Sequence, residues 1–424
     1  MILLLTAKIS YIYDLSASGG QRSGTMKQEI VLLNKETYME TKILYATMGA
    51  LSKFNGESVE KMNCGYIEKY RDNLIKIQKK NEWKYGGSSA AFQGRYDEQG
   101  AAEFYSAVNA VCPDGAEGCF YTAVAGEVSG IIAKNYETGS ENHIFHSNQY
   151  KFCAAQNCPD AGLIVLSVIE NDGAKSVAVY NRKTNDLRFL TSGDAQDDNP
   201  YLGPDGSIYY DSKGLGLNSK MEVVSVGAAS IFKTDIDGRD CSEILAEANY
   251  DLLCPKIGPD GNLYYIRRPY KNSVKHGGGN LFVDVLLLPF RLIANLFYGL
   301  LYLSRIGIKN KERKNVNTFG DNPSIQKELS DFDLFVYGER LDAVEEEKDN
   351  TKADKSPGFA PKNYELFRVK PGGEKELIQR GVLSYDIDAS GALYYSNGRY
   401  VFKKKEGGDV VLFKDKLVLN IKVF

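Results

Sequence analysis

The chain has 424 residues, of which 25% are charged and 43% hydrophobic, and a formal net charge of −3. That composition is globular and long enough for one large repeat domain or two to three ordinary ones; it is neither disordered nor basic, so nothing global argues for nucleic acid as a partner. Tyrosine is abundant, 28 residues against the single Trp83, and suits strands with one wet face. Seven cysteines (64, 112, 119, 153, 158, 241 and 254) form no C-x-x-C pair, so a zinc ribbon is not expected and reduced, buried thiols are.

At the N-terminus the only apolar run is Ile2–Leu5, and Lys8 follows it rather than preceding it. A signal peptide needs a basic start and a longer apolar core, so a cytoplasmic, bacterial protein is expected. Ile9–Asp14 and Glu29–Asn34 read as strands around a flexible loop at Ser16–Gly24. Lys42–Thr47 and Leu51–Met62 read as strand and hairpin, with Asn55-Gly56 supplying the turn. Tyr66–Lys80 fits either a hairpin or a charged helix. Gly86–Gly94 is a small-residue loop, and Glu98–Ala110 has a helical composition.

From Val111 a repeat emerges. Gly203-Pro204-Asp205-Gly206-Ser207-Ile208-Tyr209-Tyr210 is a tight turn feeding a strand: Pro204 pre-sets φ, Asp205 can bond its own backbone, and Gly206 accepts positive φ. The phrase returns as Gly258-Pro259-Asp260-Gly261-Asn262-Leu263-Tyr264-Tyr265 and, worn, as Ala389–Tyr395. Earlier forms are Cys112-Pro113-Asp114-Gly115 and Cys158-Pro159-Asp160-Ala161. Asp114, Asp160 and Asp205 recur every 45 or 46 residues, and these aspartates with Asp260 are assigned a structural role in the turns. Each unit closes in a hairpin with a polar tip, at 137–139, 182–185, 237–238, 371–373 and 406–408. Four short strands repeated at this period predict propeller blades, which bury their faces only by packing on one another.

The Pro-Asp-Gly phrase, followed by Ile231-Phe232-Lys233-Thr234-Asp235-Ile236-Asp237-Gly238, resembles the TolB-type, WD-repeat-like β-propeller family over roughly Val111–Phe424. The resemblance implies a fold and not a function, since that fold hosts scaffolds, peptidase lids and lyases. The expected architecture is all-β: one propeller over 1–424 of about seven four-stranded blades, six or eight also fitting. Its units fall near 1–42, 43–105, 106–152, 153–198, 199–252, 253–385 and 386–424. The closing run Lys416–Phe424 has a strand pattern and is expected to complete the N-terminal blade, removing both sheet edges.

About 85 extra residues separate Asp260 from the next repeat, an insertion at 271–361 within the penultimate blade. Its Gly-rich start (275–279) precedes an apolar stretch at 281–308 and a polar linker at 309–361. Pro289 fits a first helical turn, and Arg291, Asn295, Tyr298, Tyr302 and Arg305 then recur at helical spacing as one polar stripe. Spanning a membrane would bury Asp284, Arg291 and Asn295, and a central arginine alone costs at least ~2.5 kcal/mol. An in-plane amphipathic helix explains the stripe and the basic flanks, with Phe290, Arg291, Ile293, Phe297, Leu300, Leu301 and Arg305 as its membrane- or partner-binding residues. Self-association, or packing on the propeller's side, would bury the same face.

Chemistry is sparse. His143 and His146 lie in a predicted strand, where i and i+3 point to opposite faces, so a metal role is not expected. Asp235–Asp240 lacks the glutamate register of a calcium loop and reads as a hairpin turn. No G-x-S-x-G elbow and no P-loop occur, and no catalytic residue or cofactor is assigned. Asp197, Asp198, Arg267, Arg268 and Asp386 are positions that could face a channel mouth. The expectation is a non-catalytic scaffold with a protein or peptide on the propeller face, peripheral at the inner membrane through 281–308. The alternative is a lyase or glycosidase acting on saccharide or peptide in the central channel.

Overall fold

The computed structural model describes residues 41–76, 106–271 and 333–424, apart from positions 48–49, 71, 74–75, 127, 171–172, 220–222, 338 and 353. The first expected unit at 1–42, all but its last two residues, and the candidate binding residues Phe290, Arg291, Ile293, Phe297, Leu300, Leu301 and Arg305 lie outside the described residues.

Nearly every described element is a strand, and the strands fall into successive groups of about four; the third and fourth groups are joined into one nine-stranded sheet by the parallel pair Lys175–Gln196. The first sheet holds β1 (Ile43–Thr47), β2 (Ala50–Phe54) and β3 (Val59–Met62); the second β4 (Ser106–Asp114), β5 (Gly118–Ala125), β6 (Val128–Asn135) and β7 (Glu141–Ser147). The third holds β8 (Lys151–Cys158), β9 (Leu163–Ile169), β10 (Lys175–Asn181) and β11 (Asp186–Phe189). The fourth holds β12 (Ala195–Leu202), β13 (Ile208–Leu217), β15 (Ser230–Thr234) and β16 (Cys241–Leu245), with β14 (Val223–Val226) paired to the far end of β13. The fifth holds β17 (Tyr250–Ile257), β18 (Leu263–Pro269), β21 (Glu365–Val369) and β22 (Lys375–Arg380). The sixth holds β23 (Ser384–Ile387), β24 (Leu393–Ser396), β25 (Gly398–Lys403) and β26 (Val410–Val418).

The chain's last strand, β27 (Asn420–Val423), leaves the sixth sheet and pairs with β1, Ile43 opposite Val423 and Ala46 opposite Asn420. Residues 416–418 of the expected closing run belong to β26; four residues make the crossing to β1. The hydrophobic clusters follow the same cyclic order. Tyr121 and Ile132 of the second sheet pack on Leu44 and Leu51 of the first; Phe152 and Leu166 of the third pack on Phe120 of the second. Later clusters join third to fourth, fourth to fifth and fifth to sixth. Tyr394, Val401 and Phe413 of the sixth then meet Ile43, Tyr45 and Phe54 of the first. Face-packed four-stranded sheets in this succession are the layout of a β-propeller.

The turns form for the reasons legible in their residues. In the fourth sheet Asp205 accepts the Ser207 amide (3.1 Å), the Tyr209 hydroxyl (2.9 Å) and Lys233 Nζ (3.1 Å). Asp260 does the same for the Asn262 amide and the Tyr264 hydroxyl, both at 3.1 Å. In the sixth sheet the matching turn position is Ser390. Asp388, two residues earlier, takes over, accepting the Ser390 and Ala392 amides (2.9 Å each) and the Tyr394 hydroxyl (3.1 Å). Asp114 instead reaches the next sheet, meeting Asn157 Nδ2 at 2.9 Å and Arg182 at 3.2 Å, and Asp160 is exposed in the 3-10 turn Pro159–Ala161.

Two stretches differ from their sequence patterns. Residues 106–110, with a helical composition, are the start of β4, because pairing with β5 and burial of Val108 and Ala110 outweigh local propensity. The supposed linker at 309–361 contains order: β19 (Asp333–Val336) and β20 (Glu339–Asp342) form a separate hairpin, followed by a helix at Ala343–Thr351. Leu341 and Ala343 pack on Phe359, Tyr364, Leu383 and Leu417, which is what holds so acidic a helix in place. The undecided stretch after Cys64 is helical at 65–70.

Candidate functional site

One strand of each group meets its counterpart in the neighbouring group: β27, β4, β8, β12, β17 and β23. Consecutive ones lie side by side, and β17 is tied to β23 by side chains. Four of these inner strands carry a β-bulge, between Val108 and Ala110, Phe152 and Ala154, Asp198 and Tyr201, and Leu253 and Lys256. Two of the bulges contain a proline, at Asn199-Pro200 and Cys254-Pro255, where a regular ladder would lack a donor. Asn199 and Cys254 take φ of 50° and 55°, the left-handed region that non-glycine residues seldom adopt.

The bulges re-aim groups toward the neighbouring sheet. Asn109 Nδ2 donates to Phe152 O at 2.7 Å. Asp211 on β13 accepts both Asn199 Nδ2 and the Cys254 amide at 2.8 Å, joining fourth sheet to fifth. The Tyr385 hydroxyl donates to Cys254 O at 2.6 Å, joining fifth to sixth.

Buried charges sit on this frame. Lys175 Nζ meets Asp198 at 2.5 Å. Lys256 Nζ meets Asp386 at 2.6 Å and donates to Tyr385 O, while the Val423 amide of β27 donates to the other Asp386 oxygen at 2.7 Å. Arg268, 1% exposed, donates from Nε and Nη2 to Asp251 at 3.0 and 2.9 Å and from Nη1 to the Tyr364 hydroxyl at 3.1 Å. Lys213 Nζ approaches Asp251 at 3.5 Å, and the Ala229 amide donates to its second oxygen.

The proton affinities follow from this arrangement. Burial, with Asp198 alongside, pushes Asp211 up to about 7. Burial works against ionised Asp251 and Asp198 too, yet Lys213 and Arg268 hold the first below the ordinary carboxylate value and Lys175 holds the second there. Burial lowers Lys256 against the pull of Asp386, and raises the Cys254 thiol and the Tyr337 phenol. Asp211 is thus poised to exchange a proton near neutrality.

Of the five charges that could face a channel mouth, Asp198 and Asp386 pair across neighbouring sheets and Arg268 pairs with Asp251 within the fifth. Asp197 is buried beside them, its value raised by burial. Arg267 points elsewhere, bridging Glu247 and Glu365 over the rings of Tyr250 and Phe367. Lys175, Asp211, Lys213, Asp251, Lys256 and Tyr337 carried no motif; the Asn-Pro and Cys-Pro pairs inside strand-like runs were the available signal of the bulges beside them. His143 and His146 are exposed on β7, and no metal-holding group of three His, Cys, Asp or Glu occurs among the described residues. Asp235 closes the β15–β16 turn, accepting the Arg239 amide at 2.7 Å.

No family model matches the chain, and no curated protein matches it. Among solved structures it is similar to TolB from Acinetobacter baumannii, with a TM-score of 0.46 at 10% identity over 91% of this chain and 66% of that one. A chain of a nidogen/laminin complex gives 0.44 at 10% identity, over 90% of this chain and 98% of that one. An oligogalacturonate lyase from Vibrio parahaemolyticus gives 0.35 at 9%, over 71% and 63%.

Proposed function

We propose that the chain is a non-catalytic interaction platform: a six-bladed propeller that binds a protein or peptide on one face. The observation that carries this reading is the occupation of the inner charges. Lys175, Lys256 and Arg268 are each buried and each ion-paired to a carboxylate inside the protein, the first two across neighbouring sheets and the third within the fifth, so they are committed to the fold rather than free to meet a substrate. The segment 281–308 lies peripherally at the inner membrane surface, through the face bearing Phe290, Arg291, Ile293, Phe297, Leu300, Leu301 and Arg305. Basic flanks at Lys309, Lys311, Arg313 and Lys314 favour an anionic leaflet.

A channel enzyme of lyase or glycosidase type is the second reading. The raised Asp211 beside Asp198 favours it, since a carboxyl that titrates near neutrality can serve as a general base. Incubation with polygalacturonate, neutral oligosaccharides and peptides between pH 5 and 9 separates the two. The platform gives no turnover; turnover that disappears in Asp211→Asn establishes the enzyme. Liposome co-sedimentation of the full chain beside a version lacking 272–332 tests the anchor. Salt-sensitive pelleting of the full chain alone on anionic vesicles supports it, and no pelleting with a dimeric full chain assigns the segment to self-association.

A further inference from the structure

We infer that the β19–β20 hairpin is an internal pseudo-ligand: Tyr337 fills a site on the propeller that takes a peptide presenting an aromatic side chain and its backbone carbonyl, and the chain thereby blocks its own partner site. This rests on the platform reading and names the partner class and its regulation.

Tyr337 sits in the tight turn between β19 and β20 with φ of 51°, a conformation that a tyrosine holds only when its surroundings impose it. Its carbonyl accepts Arg268 Nη2 at 2.8 Å and Lys213 Nζ at 3.3 Å. Its hydroxyl donates to Leu383 O at 2.7 Å. Its side chain packs against the buried cluster that includes Leu253, Ile266 and Tyr385. These contacts reach β13, β18 and the residue before β23, elements of three different sheets. A carbonyl read by two cations and a phenol read by a backbone acceptor, with the ring against an apolar wall, is the chemistry of an interface anchor.

Two further observations separate a ligand from a structural strut. The hairpin joins no propeller sheet; β19 and β20 pair only with each other among the described residues. A two-stranded hairpin of four-residue strands is marginal alone, and it is held on the propeller by Tyr337 and the buried Leu341 rather than by a sheet ladder. The receiving groups, meanwhile, are set by other partners: Asp251 and Tyr364 orient Arg268, and Asp251 draws in Lys213. The site therefore stays built when Tyr337 withdraws, which is the preorganisation a binding site needs. The following helix keeps the hairpin close. Asn350 Nδ2 donates to Gly358 O and Ala360 O, and Arg399 pairs with Glu347 at 2.6 Å, so the hairpin competes as a tethered ligand at high effective concentration.

The test uses the full chain, its Tyr337→Ala variant, and a fluorescein-labelled peptide of residues 333–342 read by polarisation. The peptide is expected to bind the variant at least tenfold more tightly than the unmodified chain, and to lose that binding when its own tyrosine is alanine. Equal affinity for both chains, or no binding to a folded variant, overturns the inference. Hydrogen exchange of the unmodified chain guards against a variant that misfolds. Amides at 333–337 exchanging well ahead of those in β18 support a displaceable hairpin; exchange of both only together overturns it. Turnover in the substrate panel would remove the platform reading while leaving the peptide result to stand or fall alone.

Discussion

The outer turns and the inner joints use aspartate for the same purpose at opposite ends of the burial scale. Asp205 ties its turn to Lys233 with both side chains about 40% exposed (41% and 39%), whereas Asp251 meets Arg268 at 2% and 1%. In water such a pair is screened and its members can part at little cost. Inside, neither member can be left alone, so Asp251 and Arg268 lock β17 against β18, and Lys213 of the fourth sheet reaches the same carboxylate. The turns shape single blades, and Lys175–Asp198, Lys213–Asp251 and Lys256–Asp386 tie neighbouring ones.

That contrast is open to attack from several sides, beginning with the heaviest blow. Deleting 417–424 removes the buried Leu417, Val418 and Ile421, the β27–β1 pairing and the Val423 contact to Asp386. The truncated chain is expected to lose its cooperative thermal transition, and an unchanged melting temperature refutes the closing role of β27. Next, Asp251→Ala strands buried Arg268 and should cost about 3–5 kcal/mol in urea unfolding.

A smaller effect sharpens the difference among the joints themselves. Lys256 faces one carboxylate, but Lys175 faces Asp198 with Asp211 nearby, and burial together with this surplus acid is why Asp211 titrates so high. Its folded value, about 7, lies above its ordinary 3.8. The stability it carries is therefore complete below the ordinary value and is lost as pH rises through about 7. Urea midpoints of the unmodified chain should fall between pH 5.5 and 8 by more than those of Asp211→Asn; parallel profiles contradict the assignment. Smallest of all, Asp205→Ala should stay within about 1 kcal/mol, because its charge partner is exposed and only one turn is loosened.

The hairpins were legible because their turn chemistry is local. Asn55-Gly56, Gly139, Asp237-Gly238 and Gly372-Gly373 each punctuate paired strands where the residue pattern predicts a reversal. The expected units from residue 43 onward follow the order in which the described strands group, and the unit at 1–42 lies almost wholly outside the described residues. The inner joints were not legible, because Lys175 with Asp198 and Lys256 with Asp386 meet across neighbouring sheets, and Asp251 meets Arg268 only through the register of β17 on β18. Asp388 shows a subtler limit: the turn keeps its acceptor while the aspartate moves two residues upstream, so the motif fades although the geometry persists. The hairpin at 333–342 was hidden by its acidic surroundings, where composition pointed to a linker and the docking of Tyr337, Leu341 and Ala343 decided otherwise.

The most direct test is a double-mutant cycle on Asp251 and Arg268. If their pairing is a structural tie between β17 and β18, Asp251→Leu alone loses about 3–5 kcal/mol, and adding Arg268→Met restores most of it because no buried charge is left uncompensated. If instead Asp251→Leu and Arg268→Met each keep the unmodified stability while a channel activity disappears, the cluster is a catalytic site and the account is contradicted.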